Sequence, residues 1–324
     1  MARLGIRRPV TRLGLLLEVP VQSRGDSGLF DRLASLAATA EDAGFDSLWV
    51  DDRVGDPQVG LDDSPWFEAY SLLGALAART SRIRLGALPR GQDRRAPSML
   101  AKIVTGIDVI SHGRSVATFG SGLGRSALGG SPPGGAVSVA SGDFVGGGSH
   151  GATGEGSQVD RLTEALRVCR AVLDEQEIEF SGTFYEIHGA LNRPRPLQVG
   201  GVPLALFVED GYPLRPEVLT AAVRYVDAVI IGGDATAVAE TVKTVRAASL
   251  FHGRPADSVQ VIWLATWPRT GSETGLDTAD FEGPLSSRAD GCILSVGSDA
   301  SPESVGQAML RLSAAMESMS LGHP

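Results

Sequence analysis

LFDRLASLAATAEDAGFDSLWVDD, residues 29–52, is the stretch from which the fold is read. Leu29, Leu33, Leu36, Ala37 and Ala40 fall on one helical face, and Gly44 stands where a helix ends in a left-handed residue. A run of strand length, Asp46 to Asp51, begins at once. It lacks strict polar alternation, as expected of a strand covered by helices on one side and by packed side chains on the other. Helix then strand, with no room to turn back, is half of a parallel βα unit.

The same order recurs in FEAYSLLGALAARTSRIRLGAL (67–88), SMLAKIVTGIDVISHGRSVATF (98–119) and AVAETVKTVRAASLFHGRPADSVQVIWLA (237–265). Eight strands are expected: Leu13 to Glu18, Asp46 to Asp51, Ile83 to Leu88, Ser115 to Gly120, Pro203 to Val208, Ala228 to Gly232, Val259 to Ala265 and Cys292 to Val296. Their starts are spaced by roughly thirty residues, the scale of one βα unit, apart from a gap of about ninety between the fourth and the fifth. The fold class expected is α/β, a (β/α)₈ TIM barrel with a long Gly-rich insertion after strand four, built as one domain over residues 1–324. The insertion, 120–157, is crowded with Gly and Ser and buries little, so a flexible segment is expected there. Order resumes with a helix, QVDRLTEALRVCRAVL (158–173), and with EIEFSGTFYEIHG (177–189), two short strands joined at Ser181-Gly182.

A formal charge of −9 sets nucleic acid and anionic membrane against a repulsive field, so neither is an expected partner. The pairs Arg7-Arg8 and Arg94-Arg95 read as solvated loop charge. Cys169 and Cys292 are far apart and read as core thiols, and no His, Cys or carboxylate set has metal spacing, so no metal is expected. The apolar stretch Leu13 to Leu17 ends at Glu18 and Pro20, which argues against a signal peptide and for a cytoplasmic enzyme.

Several strings resemble the luciferase-like monooxygenase family, whose members are flavin monooxygenases and reductases using the deazaflavin F420. They are Ala43 to Trp49 entering the second strand, Leu76 to Gly86 entering the third, Pro97 to Arg114 entering the fourth, and Gly182 to Gln198 leading to the fifth. The resemblance implies an oxidoreductase that holds F420 or FMN at the carboxyl ends of the strands, takes a small organic substrate and forms a homodimer. Asp52 and Arg53 follow the second strand where the family has an acidic residue and a His beside the ring, which makes them the catalytic candidates. Arginine keeps its charge at working pH and cannot shuttle protons as imidazole does, but it can stabilise an anionic intermediate.

Cofactor contacts are expected from Leu88, from Phe119, Gly120, Ser121 and Gly122, and from Gly211, Gly232 and Gly233 in the later loops, where backbone N–H groups at helix starts could hold phosphate. Glu209-Asp210 and Asp234 oppose an anion at these places, and Leu123 stands where F420 reductases often carry Glu. Trp66, Tyr185, His188 and Trp267 are the substrate candidates, with His188 in the connection expected to fold over the barrel mouth. A second reading keeps the barrel but loses the redox cofactor, leaving a cofactor-independent enzyme or a binding protein; Arg53, Leu123 and Glu209-Asp210 motivate it.

Overall fold

A computed structural model describes residues 10–17, 28–52, 67–89, 95–121, 155–174, 178–208, 214–266, 288–296 and 301–310. In chain order its elements are β1 (Leu13–Leu17), α1 (Leu29–Ala43), β2 (Ser47–Asp52), α2 (Ala69–Ala77), β3 (Arg84–Pro89), α3 (Pro97–Ile110), β4 (Ser115–Gly120), α4 (Glu155–Asp174), β5 (Ile178–Ser181), β6 (Glu186–Ala190), β7 (Leu204–Val208), α5 (Pro216–Tyr225), β8 (Ala228–Ile231), α6 (Ala235–Phe251), β9 (Gln260–Thr266) and β10 (Gly291–Val296). A further helical segment covers 302–310. Eight strands close into a parallel barrel in the order β1-β10-β9-β8-β7-β4-β3-β2, while β5 and β6 pair antiparallel as a separate hairpin. The expected (β/α)₈ barrel is therefore present. Of the Gly-rich insertion, 122–154 lies outside the described residues, and α4 starts at Glu155, three residues earlier than the apolar period implied.

Alternation along each strand sorts the core into two shells. Leu16, Trp49, Leu88, Val116, Ala205, Phe207, Ala228, Ile230, Ile262, Leu264 and Ile293 pack together inside the ring. Their strand neighbours, such as Leu15, Leu48, Val50, Leu85, Ala87, Ala117, Leu204, Leu206 and Val229, join the helix residues outside it. Trp49 fills much of the interior. A Cβ on Gly86 would come within 2.4 Å of its ring, and one on Gly14 within 2.9 Å of its Nε1, so only glycine fits opposite the indole. Trp49 Nε1 donates to Ser47 Oγ (2.8 Å), which donates to Thr11 Oγ1 (2.6 Å), which donates to Asp46 Oδ1 (2.6 Å). A wire of hydrogen bonds thus runs from the centre of the barrel to its lower rim.

The lower rim repeats one device. Asp46, Asp227 and Asp290 each sit just before a strand, and each accepts through its carboxylate from the N–H of Leu13, Leu204 and Val261 respectively, at 3.3, 2.9 and 2.9 Å. Their own N–H groups donate to the carbonyls of the same three residues. The start of each neighbouring strand is thereby fixed in register. Before β4 the position is held by buried Arg114, whose guanidinium donates to Ser111 O, Thr80 Oγ1, Ile83 O, Ala77 O and Thr80 O. Burial pushes the pKa of this guanidinium down, with nearby Glu41 pulling the other way. Cys169 and Cys292 are buried and not joined in a disulfide, as expected of core thiols.

Candidate active site at the barrel mouth

Three neighbouring strands set the geometry of the mouth. On β2, Trp49 faces inward, so Asp51 faces inward and Asp52 outward; Asp51 is 2% exposed. Asp51 lies opposite Leu88 on β3, and the β3–β4 register pairs Leu85 with Ser115 and Gly86 with Val116, so that by alternation Leu88 and Thr118 both face inward. Thr118 in turn lies opposite Ala205 on β7. Asp51, Leu88, Thr118 and Ala205 therefore form one row across the inner wall. At about 4.8 Å per strand, the Asp51 and Thr118 backbones stand roughly 10 Å apart, with Leu88 between them. The residue above Thr118 on the same face is Gly120, which adds no side chain. Thr118 is wholly buried, and among the described residues its Oγ1 has no hydrogen-bond partner.

Two expected site residues point the other way. Phe119 packs in the outer shell between strands and helices, because it lies between inward-facing Thr118 and Gly120. Its ring is therefore not part of the inner wall. Asp52 turns toward the helices, where Arg95 Nη1 and Nη2 donate to its Oδ2 and Oδ1 at 2.7 and 3.3 Å. Arg95 also donates to Glu68 Oε1 (2.7 Å), and its guanidinium lies 4.6 Å from the Tyr70 ring centre. The other Glu68 oxygen accepts from Ser71 N (2.7 Å) and caps α2. Burial pushes the Glu68 carboxyl up, but the bonds from Ser71 and Arg95 outweigh it, and the net shift is downward. Arg95 is thus no solvated loop charge. It is a clamp that ties the end of β2 to the starts of α2 and α3, with its side chain 21% exposed.

Later helix starts differ in their fitness for phosphate. At α6, the Asp234 carboxylate accepts from Ala237 N (2.9 Å), so the first turn is already served by an anion of the chain itself. Gly232 and Gly233 lie just before it, and the Gly233 carbonyl accepts from Trp263 Nε1 (3.0 Å). The helix at 302–310 is closed by Ser301 and Ser304, each N–H donating to the other's hydroxyl. α5 has no side-chain cap: Arg215 precedes it and Pro216 occupies its first turn, followed by Glu217.

Tyr185 and His188 stand apart from this row, on the hairpin of β5 and β6. That hairpin lies along α4: Glu164 accepts from the N–H groups of Thr183, Phe184 and Tyr185, while Arg161 and Arg167 cover the Phe184 and Phe180 rings. His188 is 66% exposed, between Glu179 (3.3 Å) and Glu186 (3.0 Å). Among the described residues, the partners of its ring are these two carboxylates of its own hairpin. Leu88 and Gly120 face inward as a ring contact would require, and Ser121, buried, continues β4 by donating its N–H to Phe207 O (2.8 Å). Arg53, Trp66, Gly122, Gly211 and Trp267 lie outside the described residues. Asp51 and Thr118 were missed in the sequence. Trp49 was the available signal, because a bulky residue fixed as inward assigns Asp51 to the same side. Among the described residues no cluster of three or more His, Cys, Asp or Glu could hold a metal ion, and no helix is long and apolar enough to cross a membrane.

Residues 11–267 match the sequence profile of the luciferase-like monooxygenase family. The chain belongs to that family. Among curated proteins, the F420-dependent glucose-6-phosphate dehydrogenase of Kineococcus radiotolerans is 27% identical over 192 residues, 56% of this chain and 47% of its own length. The chain spans about half the length of the curated relatives it matches. Among solved structures, a monooxygenase from Streptomyces bottropensis superposes with a TM-score of 0.70 at 17% identity, covering 95% of this chain and 99% of the other. The coenzyme F420-dependent tetrahydromethanopterin reductase of Methanopyrus kandleri gives 0.65 at 15% identity, covering 94% and 99%. These luciferase-like barrels share the fold of this one.

Proposed function

We propose that this luciferase-like chain is an oxidoreductase that binds F420 or FMN at the barrel mouth and uses it to reduce or oxygenate a small organic substrate. The observation that carries the reading is the inner wall itself. Gly120 adds no side chain there, Leu88 is apolar, and the buried Thr118 hydroxyl on the same face has no hydrogen-bond partner among the described residues. Such a wall fits a planar heterocycle with a polar edge. When bound, the cofactor supplies the hydride or, as reduced FMN, the electrons for activating dioxygen.

The chain's own residues orient it and handle charge. Asp51, inward and 2% exposed, is the carboxylate placed to exchange a proton with a ligand at the mouth. Asp52 serves by clamping Arg95. The α6 start is already served by Asp234, and the α5 start, which has no side-chain cap, carries Glu217 in its first turn after Glu209-Asp210, so neither favours a cofactor phosphate. Arg53 follows Asp52 and would stabilise negative charge on the ring without shuttling protons.

The test is a spectral titration of the purified full chain with F420 and with FMN. Stoichiometric binding of one of them supports the reading and chooses between them. Binding of neither overturns it in favour of a barrel that works without a redox cofactor. The same reading includes a homodimer, which light scattering after size exclusion checks.

A further inference from the structure

We propose that Thr118 is a ligand-positioning residue whose hydroxyl is reserved for the polar edge of the ring bound at the mouth; the inference rests on the cofactor reading above. Thr118 belongs to the interior of the barrel by strand alternation, between inward Val116 and Gly120. Its immediate neighbours on the inner wall are apolar or small: Leu88 and Ala205 flank it in the row, and Gly120 stands above it. A hydroxyl in such a place finds no partner on the strands around it, and its Oγ1 has none among the described residues. Leaving it so is unfavourable, whereas valine has nearly the same shape and would carry no such penalty. Within the chain alone, valine is the better residue here. Threonine is useful at this place when a donor or acceptor arrives from above, and a flat heterocycle passing over Gly120 presents ring carbonyls and nitrogens to it. Asp51, about two strands away on the same row, faces the same space and gives the ligand a second polar contact across Leu88.

Thr118→Val and Thr118→Ser are compared with wild type by thermal unfolding without added cofactor and by fluorescence titration with F420 and FMN separately. T118V is expected to unfold at the same temperature as wild type or higher, and to bind the chromophore about tenfold more weakly, the loss of one hydrogen bond. T118S keeps the hydroxyl and is expected to bind within about threefold of wild type. Wild type that binds a chromophore while T118V binds it equally well overturns this inference alone. Equal weakening in T118V and T118S also overturns it, since the effect then follows packing and not the hydroxyl. A T118V chain that unfolds earlier but binds normally shows a hydroxyl satisfied inside the protein, and the inference falls in that case too. Wild type that binds neither chromophore overturns the cofactor reading, and this inference with it.

Discussion

Asp51 and Asp52 are adjacent, chemically identical and both buried, yet one faces the barrel interior and the other a guanidinium. Asp52 and Arg95 form a two-point ion pair that also engages Glu68, so removing the Asp52 charge leaves Arg95 short of one partner in a partly dry place. Asp52→Asn is expected to lower stability by about 2 kcal/mol in urea unfolding, a figure reduced from the buried-pair range because Arg95 retains some water. A loss below about 0.5 kcal/mol, the range of an exposed pair, would show the clamp to be ornamental. Cys292 is a second residue with a definite expectation. Burial pushes its thiol up from 9.0 to about 12, so it should resist thiol reagents in the native state and react once the chain unfolds. The folded form holds its proton longer than the unfolded one, so this contribution is intact below pH 9 and declines as pH rises from 9 toward 12. Cys292→Ala should flatten that alkaline decline in stability measured against pH; an unchanged slope would contradict the assignment. Which of two neighbouring carboxylates faces inward is not legible in the string DD alone, because alternation needs one fixed point, which here is Trp49 two residues before Asp51. The same one-residue ambiguity put Phe119 on the wrong side.

The helix, glycine, strand grammar that predicted the barrel units is the part of the fold most legible in the chain. It depends on neighbours in sequence: Gly44 takes φ 103° at the end of α1, and β2 follows within three residues. The hairpin of β5 and β6 was legible for the same reason. Its position was not, because that is set by Glu164, Arg161 and Arg167 on α4, none of which advertises its partner in the sequence. This hairpin carries its own prediction. Hydrogen bonds to Glu179 and Glu186 raise the pKa of His188, so protonated His188 holds the two strands together at low pH and that tie loosens as pH rises through the raised value. A proton NMR titration should find His188 above the ordinary 6.5, and the double change Glu179→Gln with Glu186→Gln should bring it back down. A wild-type titration at or below 6.5 would refute the bridge.

At the scale of the molecule, the barrel is a ring whose first and last strands are neighbours: Leu13 to Leu17 pair with Cys292 to Val296. The family match ends at 267, before the strand that completes the circle. A recombinant fragment of residues 11–267 would keep every other barrel strand, and yet β1 and β9 would each offer a row of bare amide and carbonyl groups to solvent. Such a fragment is expected to sediment as large aggregates, and adding back 268–324 as a separate peptide during refolding should restore some monodisperse material; a well-behaved, cooperatively melting fragment would contradict this. Closure also bears on how the protein is born. β1 must wait, half-dressed, until the ribosome has made β10 before it meets its second neighbour. Chaperone demand during synthesis should accordingly fall mainly on that exposed margin.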